Sequence, residues 1–263
     1  MEVNNKIVWI TGASSGIGEA LCYELNKAGA KLIISSRSSD GLYQVKQKCA
    51  KSQIDVHILP LDLENTSELP DKAKSALTIF GKIDIIIHSG GVSQRSLAMD
   101  TDLDVAQKIM KINFWGTVAL TQAVIPSMLS NKEGQIVIIS SLVGKFGTKY
   151  RSAYSASKHA LHGYFDSLRS EIDPKIGICI ICPGFIKTNV TINALTADGT
   201  KQNTMDDAQA NGMSANECAL EIIKAIKSGK EEVYIGGKEK YAVLLKRFLP
   251  GLFSKIVKKA KVT

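Results

Sequence analysis

The sequence predicts an α/β fold: a doubly wound, mostly parallel sheet of seven strands with helices on both faces. Short apolar runs alternate with longer segments of helical periodicity along the chain, and this alternation is typical of right-handed βαβ units. Most runs are nearly continuous in Ile, Val and Leu. Strands that are covered by helices on both faces have this composition.

The predicted elements follow one another without a linker, a repeat or a low-complexity block. Strands are expected at residues 7–10, 31–35, 56–59, 83–87, 135–139, 176–181 and 232–235. Helices are expected at residues 16–28, 39–51, 69–80, 103–129, 152–172 and 216–227. We therefore expect a single domain over residues 1–263.

Two segments depart from this pattern. About residues 188–213 form a stretch rich in Asn, Thr, Asp, Ala and Gly without a strong period. Because long segments of this kind in compact domains are usually functional, we interpret it as a lid, with a disordered surface insertion as the alternative. The second segment is a basic C-terminal extension at about residues 238–263. It holds eight Lys or Arg residues against Glu239 alone, so it carries +7 of the net charge of +8.

Apolar residues stand among the lysines of the extension, including Tyr241, Leu244, Leu245, Phe248, Leu249, Leu252, Phe253, Ile256 and Val257. One hypothesis is a helix that makes a weak contact with a membrane surface, with lysines toward anionic head groups. The alternative is that the apolar face packs beside the substrate cleft or against a second subunit. The break at Pro250-Gly251 favours packing.

Charge and cysteine content exclude several classes of protein. A nucleic-acid binder should carry its positive charge on the folded body rather than in an extension. Five cysteines, an odd number, argue against a disulfide framework and for a reducing cytosol. Cys179 and Cys182 form a C-x-x-C pattern, but residues three apart on a strand point to opposite faces, so we expect no metal there. With no signal peptide or bilayer-length apolar run visible, we expect a cytoplasmic protein.

A glycine-rich turn follows the first predicted strand, with the sequence Thr11-Gly12-Ala13-Ser14-Ser15-Gly16-Ile17-Gly18. Gly12 permits the tight turn, Gly16 lets the backbone approach a pyrophosphate, and Gly18 allows the helix to pack closely on the strand. The N-terminus of the following helix offers N–H groups to phosphates. The turn predicts a dinucleotide cofactor.

The end of the second predicted strand indicates which dinucleotide is bound. Proteins that prefer NAD place a carboxylate here to accept hydrogen bonds from the ribose 2′-hydroxyl. This chain has Ser36 and Arg37 instead. A guanidinium can bind a 2′-phosphate through charge-assisted hydrogen bonds, so the sequence predicts NADP(H).

A tyrosine and a lysine stand four residues apart in a predicted helix. This spacing puts Tyr154 and Lys158 on one helical face. A free phenol titrates near pH 10, and a neighbouring ammonium lowers its pKa, so Tyr154 could exchange a proton with a substrate. Ser141, which follows a predicted strand, could hydrogen-bond the same substrate oxygen. Asn113, in the preceding long helix, could hold a water that links Lys158 to solvent.

In this order along the chain, these residues resemble the short-chain dehydrogenase/reductase family, in its single-domain branch, over nearly the full length. The motifs that carry the resemblance are the glycine-rich turn, Asp62-Leu63, Asn113, Ser141, Tyr154-x-x-x-Lys158 and Pro183-Gly184. The resemblance implies a Rossmann-type fold in which Tyr154 is the catalytic acid and base. It also implies that Lys158 binds the nicotinamide ribose and tunes Tyr154, that Ser141 polarises the substrate carbonyl, and that Asn113 orders a proton-relay water.

The resemblance further implies which residues bind the cofactor. Asp62 would contact the adenine, and residues 183–188 would hold the nicotinamide, with Thr188 at its carboxamide. The predicted cofactor-binding residues are Gly12, Ser14, Ser15, Gly16, Ile17, Gly18, Ser36, Arg37, Asp62, Leu63, Ser89, Gly90, Gly91, Asn113, Tyr154, Lys158, Pro183, Gly184, Ile186 and Thr188. The implied reaction interconverts a secondary alcohol and a ketone or aldehyde with NADP(H). The alternative is a catalytically idle dinucleotide-binding sensor or scaffold protein.

One stretch departs from the family pattern. Where members commonly have Asn-Asn-Ala-Gly, this chain has His88-Ser89-Gly90-Gly91, and we interpret His88 as a structural substitute rather than a catalyst. The next five residues, 92–96, resemble those of membrane-associated and steroid- or retinoid-active members, which favours a lipophilic substrate. Family members commonly pair through the long helices, so a homo-oligomer is expected.

Overall fold

The computed structural model describes residues 2–260 of the chain. Seven parallel strands form one sheet in the order β3-β2-β1-β4-β5-β6-β9. The strands are β1 Ile7–Thr11, β2 Lys31–Ser35, β3 Val56–Ile58, β4 Ile85–His88, β5 Gly134–Ile139, β6 Ile176–Pro183 and β9 Glu232–Ile235. The reversal of strand order between β1 and β4 is the position at which doubly wound sheets open a ligand crevice. The predicted fold class is confirmed.

Helices cover both faces of the sheet. The long ones are α1 Gly16–Lys27, α2 Ser39–Lys48, α3 Leu69–Phe80, α4 Leu103–Met110, α5 Gly116–Asn131, α6 Ser152–Glu171 and α8 Ala215–Lys227. Strand residues alternate between two cores: Val8 and Ile10 contact the layer with α1 and α8, whereas Ile7 and Trp9 contact the layer with α3, α5 and α6. Because both faces are covered, the central strands β1, β4, β5 and β6 are largely apolar.

Three element boundaries differ from the prediction in an informative way. The helix expected at residues 103–129 is two helices joined by a π-helical turn, Lys111–Trp115. The strand expected to begin at residue 83 begins at Ile85, and the Asp84 carboxylate accepts the Ile7 N–H at 2.8 Å. The strand expected to end at residue 181 continues to Pro183, because β9 pairs with it as far as Ile235.

Cys179 and Cys182 point to opposite faces of β6, as their spacing predicted. Cys179 contacts the core on one face of the sheet and Cys182 the core on the other. All five cysteines are free and buried.

The 188–213 segment packs against the body of the protein. It lies between two short strands that pair in parallel, β7 Ile186–Lys187 and β8 Met213–Ser214, and it contains α7, Asp207–Ala210. Leu195 forms a backbone bridge with Gln94 of the loop after β4. The segment therefore docks onto the loop that precedes α4, which does not accord with a disordered insertion.

The basic extension folds into a short 3₁₀ helix, Lys238–Tyr241, and two helices, α9 Ala242–Phe248 and α10 Pro250–Lys259. Pro250 ends the first helix and opens the second, because proline fits the first helical position. Phe253 is buried against Phe146, with ring centroids 5.1 Å apart. One face of the extension thus packs on the body, whereas packing beside the substrate cleft or against a second subunit stays a prediction. The opposite face exposes large apolar residues, namely Tyr241, Leu244, Phe248, Leu249, Leu252 and Ile256.

Residues 261–263, which include the predicted basic Lys261, lie outside the described residues. Within residues 2–260, no helix combines the length and the apolar character needed to span a bilayer.

Candidate active site

Two glycine turns meet at the carboxyl end of the sheet. A Cβ at Gly12 would lie 2.6 Å from Gly90 N and 2.8 Å from the carbonyl carbon of Ser89, and the φ of Gly12 is +67°. The Thr11 hydroxyl accepts the Gly90 N–H at 3.3 Å. Only glycine at position 12 allows this approach without a clash and without strain. The turn after β1 and the turn after β4 therefore form one wall.

The turn after β1 has the features that a pyrophosphate requires. Gly16 has a φ of +60°, and a Cβ at Gly18 would lie 2.3 Å from Gly12 O. Ser15, the residue before α1, makes no side-chain hydrogen bond to the helix. Free N–H groups at the start of α1 can thus bind phosphate oxygens. Ile17 follows at the half-buried edge of the turn.

The side chains after β2 surround the expected position of an adenosine ribose. Ser36 is buried and its hydroxyl accepts the Ser38 N–H at 3.2 Å. Arg37 is exposed, and no ion pair is recorded for it within residues 2–260. Ser14 packs against Gly41 in the first turn of α2. These groups leave a cationic side chain free beside the glycine turn.

The other predicted cofactor residues divide into two groups. Thr188 borders the cleft, because its methyl group lies 3.1 Å from a Cβ built on Gly16, and Asp62 is half-buried with its carboxylate accepting the Glu64 N–H at 3.0 Å. The side chains of Leu63, Pro183 and Ile186 are buried. Contact of these three residues with a cofactor would therefore be made chiefly by their backbone.

Gly184 contacts the basic extension, and its predicted contact with the cofactor stays a prediction. A Cβ at this position would lie 2.4 Å from Glu239 Oε1. The Glu239 carboxylate accepts the N–H groups of Gly237 at 3.0 Å and Phe185 at 3.3 Å. The lone acidic residue of the extension thus anchors the loop after β6, a contact that the sequence pattern did not indicate.

Tyr154, Lys158 and Ser141 come together at the ends of α6 and β5. The Lys158 ammonium lies 5.7 Å from the centroid of the Tyr154 ring and donates a hydrogen bond to Ile139 O at 2.8 Å. The Ser141 hydroxyl acts on the Tyr154 phenol, whose pKa it lowers, and it donates a hydrogen bond to Pro183 O at 3.4 Å. Lys158 is buried and Tyr154 is half-buried. The structure thus assembles the three predicted side chains next to the glycine turns.

Burial shifts the pKa values of both Tyr154 and Lys158, and the charges around Tyr154 include groups that were not predicted. Burial raises the pKa of Tyr154, and the groups that oppose this rise are Arg151, the Ser141 hydroxyl and Arg95. Burial lowers the pKa of Lys158 to about 8. Two arginines that the sequence pattern did not indicate thus act on the Tyr154 phenol, in addition to Lys158, whose ammonium lies 5.7 Å from the centroid of the Tyr154 ring.

Asn113 holds the turn after β4 rather than pointing freely into the site. It lies in the π-helical turn, a distortion that is frequent at functional sites. Its side chain accepts the Val92 N–H at 2.8 Å and donates to Val92 O at 2.9 Å and to the Ser157 hydroxyl at 3.0 Å. A Cβ at Gly91 would lie 3.0 Å from Asn113 Oδ1 and 3.8 Å from the Lys158 ammonium. Its predicted water-ordering role stays a prediction.

His88 has the features of a structural residue. It is buried in β4, its Nε2 lies 2.9 Å from the Thr121 hydroxyl, and burial lowers its pKa to about 3. A neutral, hydrogen-bonded imidazole in the sheet accords with the structural interpretation.

One group of potential metal ligands occurs among the described residues. Ligand atoms of His162, Cys182 and Glu232 lie within 4.8 Å of one another. The Lys145 ammonium is 2.6 Å from Glu232, and burial raises the pKa of the Cys182 thiol. A cation already neutralises the carboxylate and the thiol is held protonated, so this group is poorly suited to a metal ion.

Comparison with known proteins places this geometry in a family. The family described as short chain dehydrogenase matches residues 6–199. The chain is 42% identical to Dehydrogenase/reductase SDR family protein 7-like of Anopheles gambiae, over 98% of this chain and 83% of that protein. It is 40% identical to Dehydrogenase/reductase SDR family member 7 of Homo sapiens, over 89% of this chain and 71% of that protein.

Solved structures share the fold at low sequence identity. A short chain dehydrogenase/reductase from Burkholderia phymatum in complex with NAD has a TM-score of 0.85, 21% identity and 96% coverage of both chains. A short chain dehydrogenase from Burkholderia cenocepacia in complex with NADP has a TM-score of 0.81 and 20% identity, and covers 99% of this chain and 100% of its own. Together with the sequence relatives, these matches establish that the chain belongs to the short-chain dehydrogenase/reductase family of oxidoreductases, with a Rossmann nucleotide-binding fold.

Proposed function

We propose that this protein is an NADP(H)-dependent oxidoreductase that interconverts a secondary alcohol and a ketone or aldehyde, and that its substrate is lipophilic. The observation that carries the proposal is the meeting of Tyr154, Ser141 and Lys158 beside the two glycine turns. Resemblance of residues 92–96 to those of steroid- and retinoid-active members favours the lipophilic substrate.

In this proposal the cofactor lies across the carboxyl end of the sheet. The N-terminus of α1 and the glycines at positions 12, 16 and 18 would bind the pyrophosphate. Ser14, Ser36 and Arg37 would bind the 2′-phosphate, and the exposure of the Arg37 side chain supports this. Lys158 and Thr188 would hold the nicotinamide end. When bound, the cofactor supplies or accepts the hydride.

The side chains of this chain handle the proton. Tyr154 would donate its phenolic proton to the carbonyl oxygen in reduction and remove the hydroxyl proton in oxidation. Ser141 would donate a hydrogen bond to the same oxygen and so polarise the carbonyl. Lys158, fixed by Ile139 O, would add positive charge that favours the phenolate.

Substitution of Tyr154 by phenylalanine tests this function. We expect NADPH consumption with a responsive steroid, retinoid or simple ketone to fall at least about 100-fold, because a positioned acid or base contributes that much. Binding of NADPH, followed by fluorescence quenching, should change little. Tyr164→Phe is the matched control, because it makes the same change later in α6, where Tyr164 packs between Phe114 and Phe165.

Two outcomes would overturn the proposal. Turnover that survives Tyr154→Phe would remove the tyrosine from the chemistry. NADPH binding without consumption by the wild-type chain across the panel would support the idle sensor or scaffold instead. Activity confined to small polar ketones would reject the lipophilic substrate alone.

We also propose that the protein forms a homo-oligomer through the surface of α4 and the π-helical turn. Leu103 and Trp115 are exposed on this surface. A concavity of about 600 Å³ lies between them and is also lined by Ala153 and Ala156 of α6. Analytical ultracentrifugation of the wild-type chain and of Trp115→Glu tests this, since a charged side chain should dissociate an apolar interface. An unchanged mass would rule this surface out.

A further inference from the structure

The loop after β4 contacts the first turn of α6, the helix that carries Tyr154. Gln94 is fully buried, and its side-chain oxygen accepts the backbone N–H groups of Ala153 at 2.8 Å and Tyr154 at 3.3 Å. Its side-chain nitrogen donates to the Ser152 hydroxyl at 3.2 Å. Arg151, which precedes α6, provides no side-chain cap itself. Gln94 therefore caps the helix that carries Tyr154 and fixes its start relative to the loop.

Arg95, the next residue, forms a buried ion cluster with Asp206 and Arg151. Arg95 Nε donates to Asp206 Oδ2 at 2.9 Å, and a second Arg95 nitrogen contacts the same oxygen. Arg151 Nη2 lies 3.3 Å from that oxygen. The side chains of Arg95 and Asp206 are 4% and 2% exposed, and that of Arg151 is 10% exposed. The cluster thus joins the 188–213 segment, the loop after β4 and the start of α6.

The charges in this cluster do not balance. Two guanidinium groups share one carboxylate, whose other oxygen accepts a neutral amide hydrogen bond from Gln202 at 3.1 Å. Arg95 donates its remaining bonds to neutral acceptors, Ser93 Oγ and Gln94 O. Nε of Arg151 is buried without a hydrogen-bond partner. One positive charge therefore remains unneutralised, one helical turn before Tyr154.

Other charged groups around Tyr154 do not cancel this charge. Lys158, on the same helix, is itself a cation at neutral pH. On α4, which packs against α6, Asp104 and Lys108 are exposed, and Lys108 lies 3.4 Å from Glu64. Asp206 is therefore the anion of the cluster that can offset the arginines.

We propose that Arg95 and Arg151 are positioning residues that stabilise the ionised form of Tyr154, and that Asp206 of the 188–213 segment holds them in place and sets the net charge of the cluster. The proposal rests on the proposed function in taking Tyr154 as the proton donor and acceptor. A phenolate forms when Tyr154 gives its proton to a substrate, and an uncompensated cation in a buried site favours that state. The direction in which both arginines move the pKa of Tyr154 supports this role.

The test is to titrate Tyr154 itself in four variants of the full chain. The seven tyrosines are labelled with carbon-13 at Cζ, and Tyr154→Phe assigns the signal of interest. Arg151→Met should raise the pH midpoint of the Tyr154 titration by about one pH unit, the order of shift that loss of one nearby unit charge produces. Arg151→Lys keeps the positive charge, so its Tyr154 midpoint should stay close to the wild-type value. Asp206→Asn should lower it.

The double variant Arg151→Met with Asp206→Asn separates charge from contact. It removes one positive and one negative charge, so the cluster keeps its net charge while losing its ion pairs. We expect its Tyr154 midpoint to return close to the wild-type value. A role in packing alone would leave the midpoint unchanged in the single variants and would not predict this return. If Arg151→Met does not fold, the double variant compared with Asp206→Asn measures the same loss of charge.

Midpoints that stay unmoved in the charge-changing variants, or that follow loss of contacts rather than net charge, would overturn the proposal. This readout does not depend on turnover, so the two proposals fail separately. A wild-type chain without reductase activity would overturn the proposed function while leaving the titration interpretable. In an active chain, the acidic limb of kcat/KM for alcohol oxidation should shift with the Tyr154 midpoint, since oxidation needs the phenolate.

Discussion

Replacement of Asn113 by alanine tests how the turn after β4 is held beside Lys158. The side chain of Asn113 makes three hydrogen bonds, two to the backbone of Val92 and one to the Ser157 hydroxyl, at 2.8–3.0 Å. Alanine removes all three and leaves the N–H and C=O of Val92 without their partner. Asn113 is 1% exposed, so no solvent replaces its amide directly.

The magnitude follows from these two backbone groups. A buried donor or acceptor that loses its partner costs about 1–3 kcal/mol. Since Val92 is half-buried, water can reach part of its backbone, and we expect the free energy of unfolding to fall by about 2–4 kcal/mol. Catalysis should fall as well, because the freed turn carries Gly91, which lies against the Lys158 ammonium.

Urea unfolding followed by circular dichroism measures the stability, and NADPH consumption measures the activity. Asn131→Ala is the matched control, because Asn131 is exposed at the end of α5 and makes one hydrogen bond of 3.5 Å. A loss below about 0.5 kcal/mol for Asn113→Ala, which is the range of neutral surface substitutions, would refute the inference that this amide holds the turn.

The remaining predictions concern cofactor choice, pH and the extension. Arg37→Asp should reverse the ratio of kcat/KM between NADPH and NADH, because a carboxylate repels the 2′-phosphate; an unchanged ratio would contradict the assignment. Burial holds the pKa of His88 at about 3 in the folded protein, against 6.5 for a solvent-exposed imidazole. Between these pH values the unfolded chain binds a proton at His88 that the folded chain does not bind. Stability should therefore decrease by up to about 1.4 kcal/mol per pH unit below pH ~6.5, and His88→Asn should flatten this slope in urea unfolding at several pH values. In the extension, the double variant Leu244→Ser with Phe248→Ser should sediment less with anionic vesicles than the wild-type chain, because it loses apolar residues from the exposed face. Equal partitioning of the two chains would contradict the membrane hypothesis. Point substitutions are preferred to truncation, because truncation would also remove the buried Phe253.

Much of the fold and the site was predictable because the signals are local. Near-continuous apolar runs mark strands that are covered on both faces, and the glycines at 12, 16 and 18 mark a turn whose conformation other residues resist. The four-residue spacing of Tyr154 and Lys158 predicts that both side chains lie on one helical face. Each of these features depends on neighbours within a few residues along the chain.

Hydrophobic periodicity did not predict the places where the backbone departs from a regular helix. The π-helical turn at Lys111–Trp115 leaves the apolar pattern of the long helix nearly intact, so the predicted helix ran through it. The contact between Gly184 and the Glu239 carboxylate was not predicted either, because the two residues are far apart in the sequence.

Only the tertiary structure could reveal the electrostatic surroundings of Tyr154. Arg95 and Asp206 are 111 residues apart in sequence, and Arg151 and Asp206 are 55 apart. Periodicity and turn chemistry encode which element a residue belongs to, but they carry no record of which loops meet at the end of a sheet. The sequence thus determined the fold, the cofactor turn and the reactive side chains, whereas long-range packing decided which charges surround them.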